Sequence, residues 1–357
     1  MNRAATIALA PFGALYSAAI SARSIGYEKR FLKTHEVAAP VISVGNITVG
    51  GTGKTPLVQW LAQQLADSGR TVCILTRGYR RENPKQQVVV SDGEQILSDL
   101  AHSGDEAMML AESLLGRSAV VCDADRLAAA TWAIEHLHTD VLLLDDGFQH
   151  RRLARDLDIV TIDASNPFGN EHLLPAGILR EPIKNLDRAD CIVLTRGSES
   201  ETDLIERIGQ VTNAPIFQSR TTIENFHALH SRNEVHDAAA IDEPVAAFCG
   251  IGNPRAFFSQ LRGVAMEVRH EAAFRDHHKY SQADIDHLTE QARSKGAQAL
   301  ITTAKDAVKL GSLRFEVPCY VANIEIEISD SAELLALVEN TITTGLASKV
   351  SSAKRTE

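Results

Sequence analysis

Residues 41–56 read VISVGNITVGGTGKTP, which is a short apolar run, a glycine-rich loop and a helix opening in immediate succession. This segment restricts the fold more than any other. A β-run ending near Val44 and a helix beginning near Lys54, with Pro56 tolerated in its first turn, leave a tight loop between them. Thr48, Val49, Gly50, Gly51, Thr52 and Gly53 belong to that loop. Its glycines let backbone N–H groups converge on phosphate oxygens, and the helix N-terminus adds a favourable dipole. Lys54 would reach the β- and γ-phosphates of a nucleotide, and the Thr55 hydroxyl would take a place on Mg²⁺. The strict pattern G-x-x-x-x-G-K-[ST] asks for glycine where this chain has Thr48. The strand–loop–helix context still favours a phosphate site over an unrelated glycine-rich turn.

Further apolar runs at 71–75, 119–122, 141–144, 158–162 and 191–194 alternate with helical patterns at 57–66, 106–115 and 126–136. Nearly continuous apolar strands joined by helices predict a parallel sheet covered on both faces. From 215 to 243 the pattern is polar and partly alternating, without a helix, which predicts an extended connection. Apolar runs resume at 245–249, 300–303 and 319–321, with helices at 254–261 and 281–295, the last opened by a capping box from Ser281 to Asp284. The expected fold is α/β: a P-loop NTPase-type parallel-sheet domain over 36–214, a linker over 215–243, and a smaller α/β domain over 244–345. A membrane-associated helix over 1–35 precedes them and a frayed tail over 346–357 follows.

Charge separates the amino terminus from the rest. The chain carries a formal net charge of −10, which argues against non-specific nucleic-acid binding. Residues 1–40 nevertheless hold Arg3, Arg23, Lys29, Arg30 and Lys33 against Glu28 and Glu36, so they sum to +3 and the remainder to −13. No residue between Arg3 and Arg23 is charged. A signal peptide, a thin spanning helix and a helix lying in the membrane interface all compete for this stretch, as does a helix docked on the protein's own core. The interfacial helix, with Arg23, Lys29, Arg30 and Lys33 near an anionic surface, fits best. Five scattered cysteines without a C-x-x-C pattern, most of them inside apolar runs, read as buried thiols in a reducing compartment.

A phosphate loop needs an acid at the end of a neighbouring strand to organise magnesium, and VLLLDD offers Asp145 and Asp146. Either could also be a turn aspartate. Three more clusters carry ionisable groups: SGDEA with Asp105, DDGFQHRRL with His150, and GILREP with Arg180 and Glu181. Each has a plainer reading, as a helix cap, a solvated basic turn or a surface ion pair. RDHHKYS adds Asp276, His277 and His278, a candidate general-base element because a carboxylate can orient a histidine.

Taken in order, VGNITVGGTGKTP, SGDEA, DDGFQHRRL, GILREP, CGIGNP and FRDHHKYS closely resemble the tetraacyldisaccharide 4'-kinase family of lipid A biosynthesis. The resemblance runs from the amino-terminal helix to about residue 340. Thr48 in the loop is usual in that family, whereas Ala304 stands where the family more often has an acid. The resemblance implies transfer of the γ-phosphate of ATP to an acylated glucosamine disaccharide 1-phosphate at the cytoplasmic face of the inner membrane. It further implies Asp105 as base, His277 as its partner in preference to the competing His278 because the family's motif places its Asp-His pair there, and Lys54 and Thr55 on phosphate and metal. Asp145, Asp146 and Glu181 are then expected around Mg²⁺, with His150 and Arg180 on phosphate or substrate. Asp105 and His277 are expected on opposite sides of a cleft that closes on ATP. A membrane-attached P-loop ATPase switch is the other reading, although such proteins carry Lys where this chain has Val49.

Overall fold

Strands dominated by Val, Ile, Leu and Cys have no polar face to show to water, so they sit in the middle of a sheet with helices on both sides. The computed structural model describes residues 3–197, 201–264 and 266–353. The chain enters as α1 (Arg3–Glu28), β1 (Val41–Gly45), α2 (Lys54–Asp67), β2 (Val72–Thr76), β3 (Val88–Ser91), α3 (Leu100–Ser103) and α4 (Asp105–Ser113). It goes on as β4 (Ser118–Cys122), α5 (Arg126–Leu137), β5 (Val141–Asp145), β6 (Leu157–Asp163), β7 (Cys191–Thr195) and α6 (Thr202–Gly209). The second half comprises β8 (Ile216–Ala228), β9 (Ser231–His236), β10 (Val245–Cys249), α7 (Pro254–Gly263), β11 (Val268–Ala273) and α8 (Gln282–Ser294). It ends with β12 (Ala299–Thr303), α9 (Ala304–Ala307), β13 (Cys319–Ile328) and α10 (Ser331–Ala353).

All thirteen of these strands form one sheet in the order β11-β10-β12-β13-β8-β7-β6-β1-β5-β2-β4-β3, with β9 on β8. Only β3 on β4, β9 on β8 and β13 on β8 run antiparallel among the described pairs. The parallel register sets Val44 against Asp145 and Thr76 against Cys122, so the loops that leave β1, β2, β4 and β5 all emerge along one edge. Ligands of such sheets bind at that carboxyl edge.

The extended strands expected to make up the linker over 215–243 form as β8 and β9, and both belong to the sheet. The start of β8 pairs with β7 over 216–219 and the rest pairs with β13 over 219–228, a two-stranded ribbon that joins the two halves. Polar alternation there reflects a ribbon buried on one face, as the alternation of Phe217, Ser219, Ile223 and Phe226 among the buried residues indicates. The expected segmentation differs again at the carboxyl end. Leu334, Val338 and Ile342 of α10 join Leu57, Leu61 and Leu65 of α2 in the core of the first half. Arg70 pairs with Glu339 at 3.0 Å, and the Lys349 ammonium reaches Asp156 at 2.8 Å, so the helix continues through the stretch expected to fray. The capping box of α8 forms as its sequence predicts.

The outward face of α1 is the apolar one. Phe12, Leu15 and Ile25 are exposed, followed by exposed Phe31 and Leu32. The weakly polar face turns inward: Tyr16 donates to the Arg180 carbonyl at 3.1 Å, and Ser24 accepts from Arg151 at 3.0 Å. Arg23, expected near a membrane surface, instead donates to the Gln149 carbonyl at 2.8 Å. No described helix is long and apolar enough to cross a membrane.

Candidate active site

The glycine-rich loop is held from outside. Val49 N–H donates to the Ile178 carbonyl at 2.8 Å, and Arg180 N–H donates to the Ile47 carbonyl at 2.7 Å. Thr48, buried, bridges Leu179 as a short antiparallel pair. That pairing needs only extended backbone, so the position does not require the glycine of the strict motif. Inside the loop, the Thr52 hydroxyl receives Asn46 Nδ2 at 2.9 Å and meets the Thr161 hydroxyl at 2.8 Å. The Thr195 hydroxyl at the end of β7 donates to the Thr52 carbonyl at 3.0 Å. Gly53 has φ 76, and a Cβ there would lie 2.9 Å from Thr195 Cγ2, so both conformation and space demand glycine. Gly50 and Gly51 line the open side of the loop, where a Cβ at Gly51 would lie 3.9 Å from Arg196 Nη2.

Lys54 opens α2, with Thr55 half-buried beside it. The Lys54 ammonium lies 3.5 Å from Asp146 Oδ1. Asp146 also takes both Nη1 contacts of Arg180, at 2.8 and 2.7 Å. Burial pushes its carboxyl upward, but the Lys54 and Arg180 charges outweigh it and hold the group below the usual carboxylate range. Asp145 is in the opposite condition. It is buried, its Oδ1 has no hydrogen-bond partner, and only a long contact of 3.4 Å from the Thr76 hydroxyl reaches Oδ2. Burial, then the charges of Glu106 and Asp146, push its carboxyl up to about 7. A divalent cation fits here. It would give the orphaned oxygen a partner and offset the repulsion between neighbouring carboxylates. No group of three or more His, Cys, Asp or Glu gathers among the described residues, but Mg²⁺ at phosphoryl sites commonly uses one or two carboxylates, waters and the phosphates themselves.

Glu181 is buried and engaged elsewhere. Its Oε2 accepts from Asn185 at 2.7 Å and from Arg188 at 2.6 Å, while the Arg188 guanidinium covers the Phe148 ring at 4.3 Å. His150 keeps a buried Nε2 without a partner, and burial followed by the charge of Arg126 pushes its imidazole down to about 4. It is therefore a neutral ring at pH 7, able to accept or donate one hydrogen bond but not to supply a charge.

Asp105 is the first residue of α4, preceded by Gly104 at φ 82. A Cβ at Gly104 would lie 2.6 Å from the Tyr79 carbonyl oxygen, so glycine alone lets this helix begin where it does. From 172 residues away, His277 brings Nδ1 to 2.6 Å from Asp105 Oδ2, and both side chains are largely buried. His278 points to Asp284 at 3.3 Å and stacks on Phe274 at 4.7 Å. The expectation that Asp105 and His277 face each other across an open cleft is corrected, because the pair is already in contact. Burial raises the Asp105 carboxyl, but the His277 hydrogen bond and the Lys305 charge outweigh it, and the net shift is downward. Asp105 is joined to the acidic strand end through Glu106, whose charge acts on Asp145.

Sequence reasoning did not mark Arg196, Arg126 or Lys305. Each signal was present as a basic residue at the end of an apolar strand or the start of a helix: CIVLTR, DADR and LITTAK. Arg126 and Arg196 lie at the sheet edge that carries the loop, whereas Lys305 follows β12, which runs opposite to β1 because β13 and β8 pair antiparallel, and it reaches the site from the other half through Glu106 at 3.0 Å.

A family model described as tetraacyldisaccharide-1-P 4'-kinase matches residues 5–343. The chain belongs to the tetraacyldisaccharide 4'-kinase family. It is 37% identical to the tetraacyldisaccharide 4'-kinase of Halothermothrix orenii, with 91% of this chain and 89% of that one covered. To the enzyme of the same name from Geobacter metallireducens it is 37% identical over 96% of this chain and all of the other. The crystal structure of LpxK from Aquifex aeolicus in complex with ATP superposes with a TM-score of 0.78 at 33% identity, over 94% of this chain and 99% of that one. As a 4'-kinase of this family, the chain has the α/β architecture that its solved relative shares, and the ATPase-switch reading finds no support.

Proposed function

We infer that this chain transfers the γ-phosphate of ATP to the 4'-hydroxyl of a tetraacyldisaccharide 1-phosphate, with Asp105 as general base. The reading rests above all on the buried Asp105–His277 hydrogen bond at 2.6 Å, set where α4 opens beside the acidic end of β5. A sugar hydroxyl has a pKa far above 7, so a carboxylate poised to take its proton speeds attack on the γ-phosphorus. His277 donates from Nδ1 and keeps Asp105 oriented and ionised. The loop from Thr48 to Gly53 and the Lys54 ammonium hold the nucleotide phosphates, and Lys54 offsets charge that grows on the β–γ bridge as it breaks. Thr55 and Asp145 are the residues that would hold Mg²⁺, which when bound would neutralise phosphate charge. Asp146, paired with Lys54 and Arg180, sets those two cations rather than binding metal itself, and Glu181 acts through Arg188. Arg180 and His150 remain available to phosphate or sugar oxygens.

The test uses purified protein, γ-labelled ATP and the acylated disaccharide 1-phosphate. Label should appear in the lipid and depend on added Mg²⁺. Label confined to ATP and free phosphate would overturn the assignment.

The same reading puts the protein on the cytoplasmic face of the inner membrane, where ATP and an acylated acceptor meet. Exposed Phe12, Leu15, Ile25, Phe31 and Leu32, with exposed Lys29, Arg30 and Lys33 beside them, support an interfacial helix. Burying one such apolar side chain contributes about 1.5 kcal/mol or more. Replacing Phe12, Leu15 and Ile25 together by Ser is therefore expected to lower association with vesicles of one-third anionic lipid by well over tenfold. ATP affinity, measured on the same preparation, should stay constant. Unchanged sedimentation with vesicles would remove α1 as the anchor.

A further inference from the structure

The ammonium of Lys305 lies between the two halves of the molecule beside Asp105 and His277. Lys305 sits in α9, next to β12, in the second half. Its Nζ lies 3.0 Å from Glu106 Oε1 in α4 of the first half, 3.3 Å from Asp276 Oδ1, and 3.4 Å from His277 Nε2. The side chain is only 16% exposed, against 36% for Glu106 and 44% for Asp276. A lysine this well enclosed costs desolvation, and it is tolerated because carboxylates surround it. Burial draws its pKa down, but Glu106, Asp105 and Asp276 more than reverse that, so the group stays an ammonium.

An ammonium has donors and no acceptor. Where it faces His277 Nε2, that nitrogen must offer a lone pair, and the ring proton must then sit on Nδ1. Nδ1 is the atom 2.6 Å from Asp105 Oδ2. The opposing influence is Asp276, whose Oδ2 lies 3.6 Å from the same Nε2 and would favour a proton on that nitrogen. The other charged or titratable groups nearby are otherwise engaged. Lys309 is tied to Asp306 at 2.6 Å, Arg80 reaches the Asp276 carbonyl at 3.5 Å, and the Tyr79 ring packs 5.5 Å from His277.

We propose that Lys305 is a positioning residue for the phosphoryl transfer: it holds His277 as the neutral Nδ1–H tautomer and, through Glu106, ties that ring to the helix carrying Asp105. The proposal rests on the assignment of Asp105 as base and adds a direction to the proton. With Nε2 occupied by Lys305, the imidazole cannot be the terminal acceptor. The 4'-hydroxyl proton therefore ends on Asp105 as the oxygen bonds to the γ-phosphorus and the γ-phosphorus–oxygen bond to ADP breaks. The carboxylic acid formed returns its proton to solvent after product leaves.

The experiment compares full-length wild type, Lys305→Met and Lys305→Arg, with Asp105→Asn and His277→Gln as references. Rates are measured against pH with ATP and the lipid acceptor. Histidine ring nitrogens are followed by two-bond proton–nitrogen correlation on ¹⁵N-histidine protein, with His277 assigned by its loss in His277→Gln. Lys305→Met is expected to lower kcat about 10-fold to 100-fold while the KM for ATP holds. Removing a cation beside Asp105 raises the carboxyl pKa, so the acid limb of the kcat/KM profile should move to higher pH. The His277 signal should lose its single Nδ1–H pattern and show both ring tautomers. Lys305→Arg should restore the Nδ1–H pattern and most of the rate, which an unfolded or merely destabilised Met variant cannot mimic. An unmoved acid limb and an unchanged His277 spectrum in Lys305→Met would overturn the role of Lys305 alone. Full activity in Asp105→Asn would instead overturn the base assignment beneath it.

Discussion

Asp105→Asn is expected to lower kcat by about 10²-fold to 10⁴-fold, the range lost when a general base is removed. Asparagine keeps the shape of the side chain and can still accept from His277 Nδ1, so α4 and its contacts should survive. ATP affinity is expected to change little, because the loop from Thr48 to Gly53 and Lys54 do not depend on Asp105 for any hydrogen bond that the structure contains. Initial rates with γ-labelled ATP and direct ATP titration separate the two effects. A kcat within threefold of wild type would show that the hydroxyl proton leaves by another route; loss of ATP binding would make Asp105 a nucleotide ligand. The sign of the pH dependence follows from the same geometry. Asp105 is held below the usual carboxylate range despite its burial, so the active base is present above its pKa and is lost as pH falls through it. His277→Ala removes the hydrogen bond that holds the pKa down, so its acid limb should rise in pH as its rate falls. His278→Ala should do neither, because His278 is paired with Asp284 and stacked on Phe274.

Lys54→Ala is expected to reduce kcat by about 10²-fold to 10³-fold, the scale for losing one preorganised donor at a site where charge develops. It should also weaken ATP binding, which distinguishes it from Asp105→Asn. The structure adds a second consequence. Lys54 and Arg180 share Asp146, at 3.5 Å and 2.7 Å, so removing Lys54 leaves Arg180 alone with the carboxylate and tightens that pair. Arg180 would then be less free to turn toward substrate. Lys54→Arg is not expected to rescue, because a planar guanidinium on a longer stem cannot reproduce a compact ammonium at the first turn of α2. Steady-state kcat together with an ATP dissociation constant checks both statements. Wild-type values for the two would refute a phosphate role for Lys54.

The loop, the strand ends and the helices were legible because each depends on neighbours in sequence. VISVG followed by glycines must end a strand and turn, and VLLLDD must bring its acids out at a strand's end. Other features were misread for one shared reason. The polar alternation of 216–228 looks like a linker until β13 pairs along it, since a ribbon with one buried face and a solvated segment share the same pattern. Arg23 looks like a membrane contact until the Gln149 carbonyl is seen beside it. Thr48, usual in the family that the loop resembles, owes its place to a pairing with Leu179 that no local pattern shows. In each case the deciding partner lies more than 90 residues away, beyond the reach of any spacing rule.

The candidate site divides along the same line. Lys54, Thr55, Asp145 and Asp146 could be named from local pattern and the chemistry of phosphate and magnesium. Asp105 with His277 could be named only through resemblance to a family, because nothing in SGDEA or RDHHKYS refers to the other. By itself the sequence determined a parallel α/β sheet with a phosphate loop and an acidic strand end, since backbone geometry and hydrophobic period act over a few residues. Tertiary structure alone decided that Asp145 keeps an orphaned oxygen while Asp146 pairs with Lys54 and Arg180, that His277 is already in contact with Asp105, and that Lys305 stands between the halves. Hydrogen bonds and ion pairs act over about 3 Å, and only the folded sheet brings residues 172 positions apart to that distance.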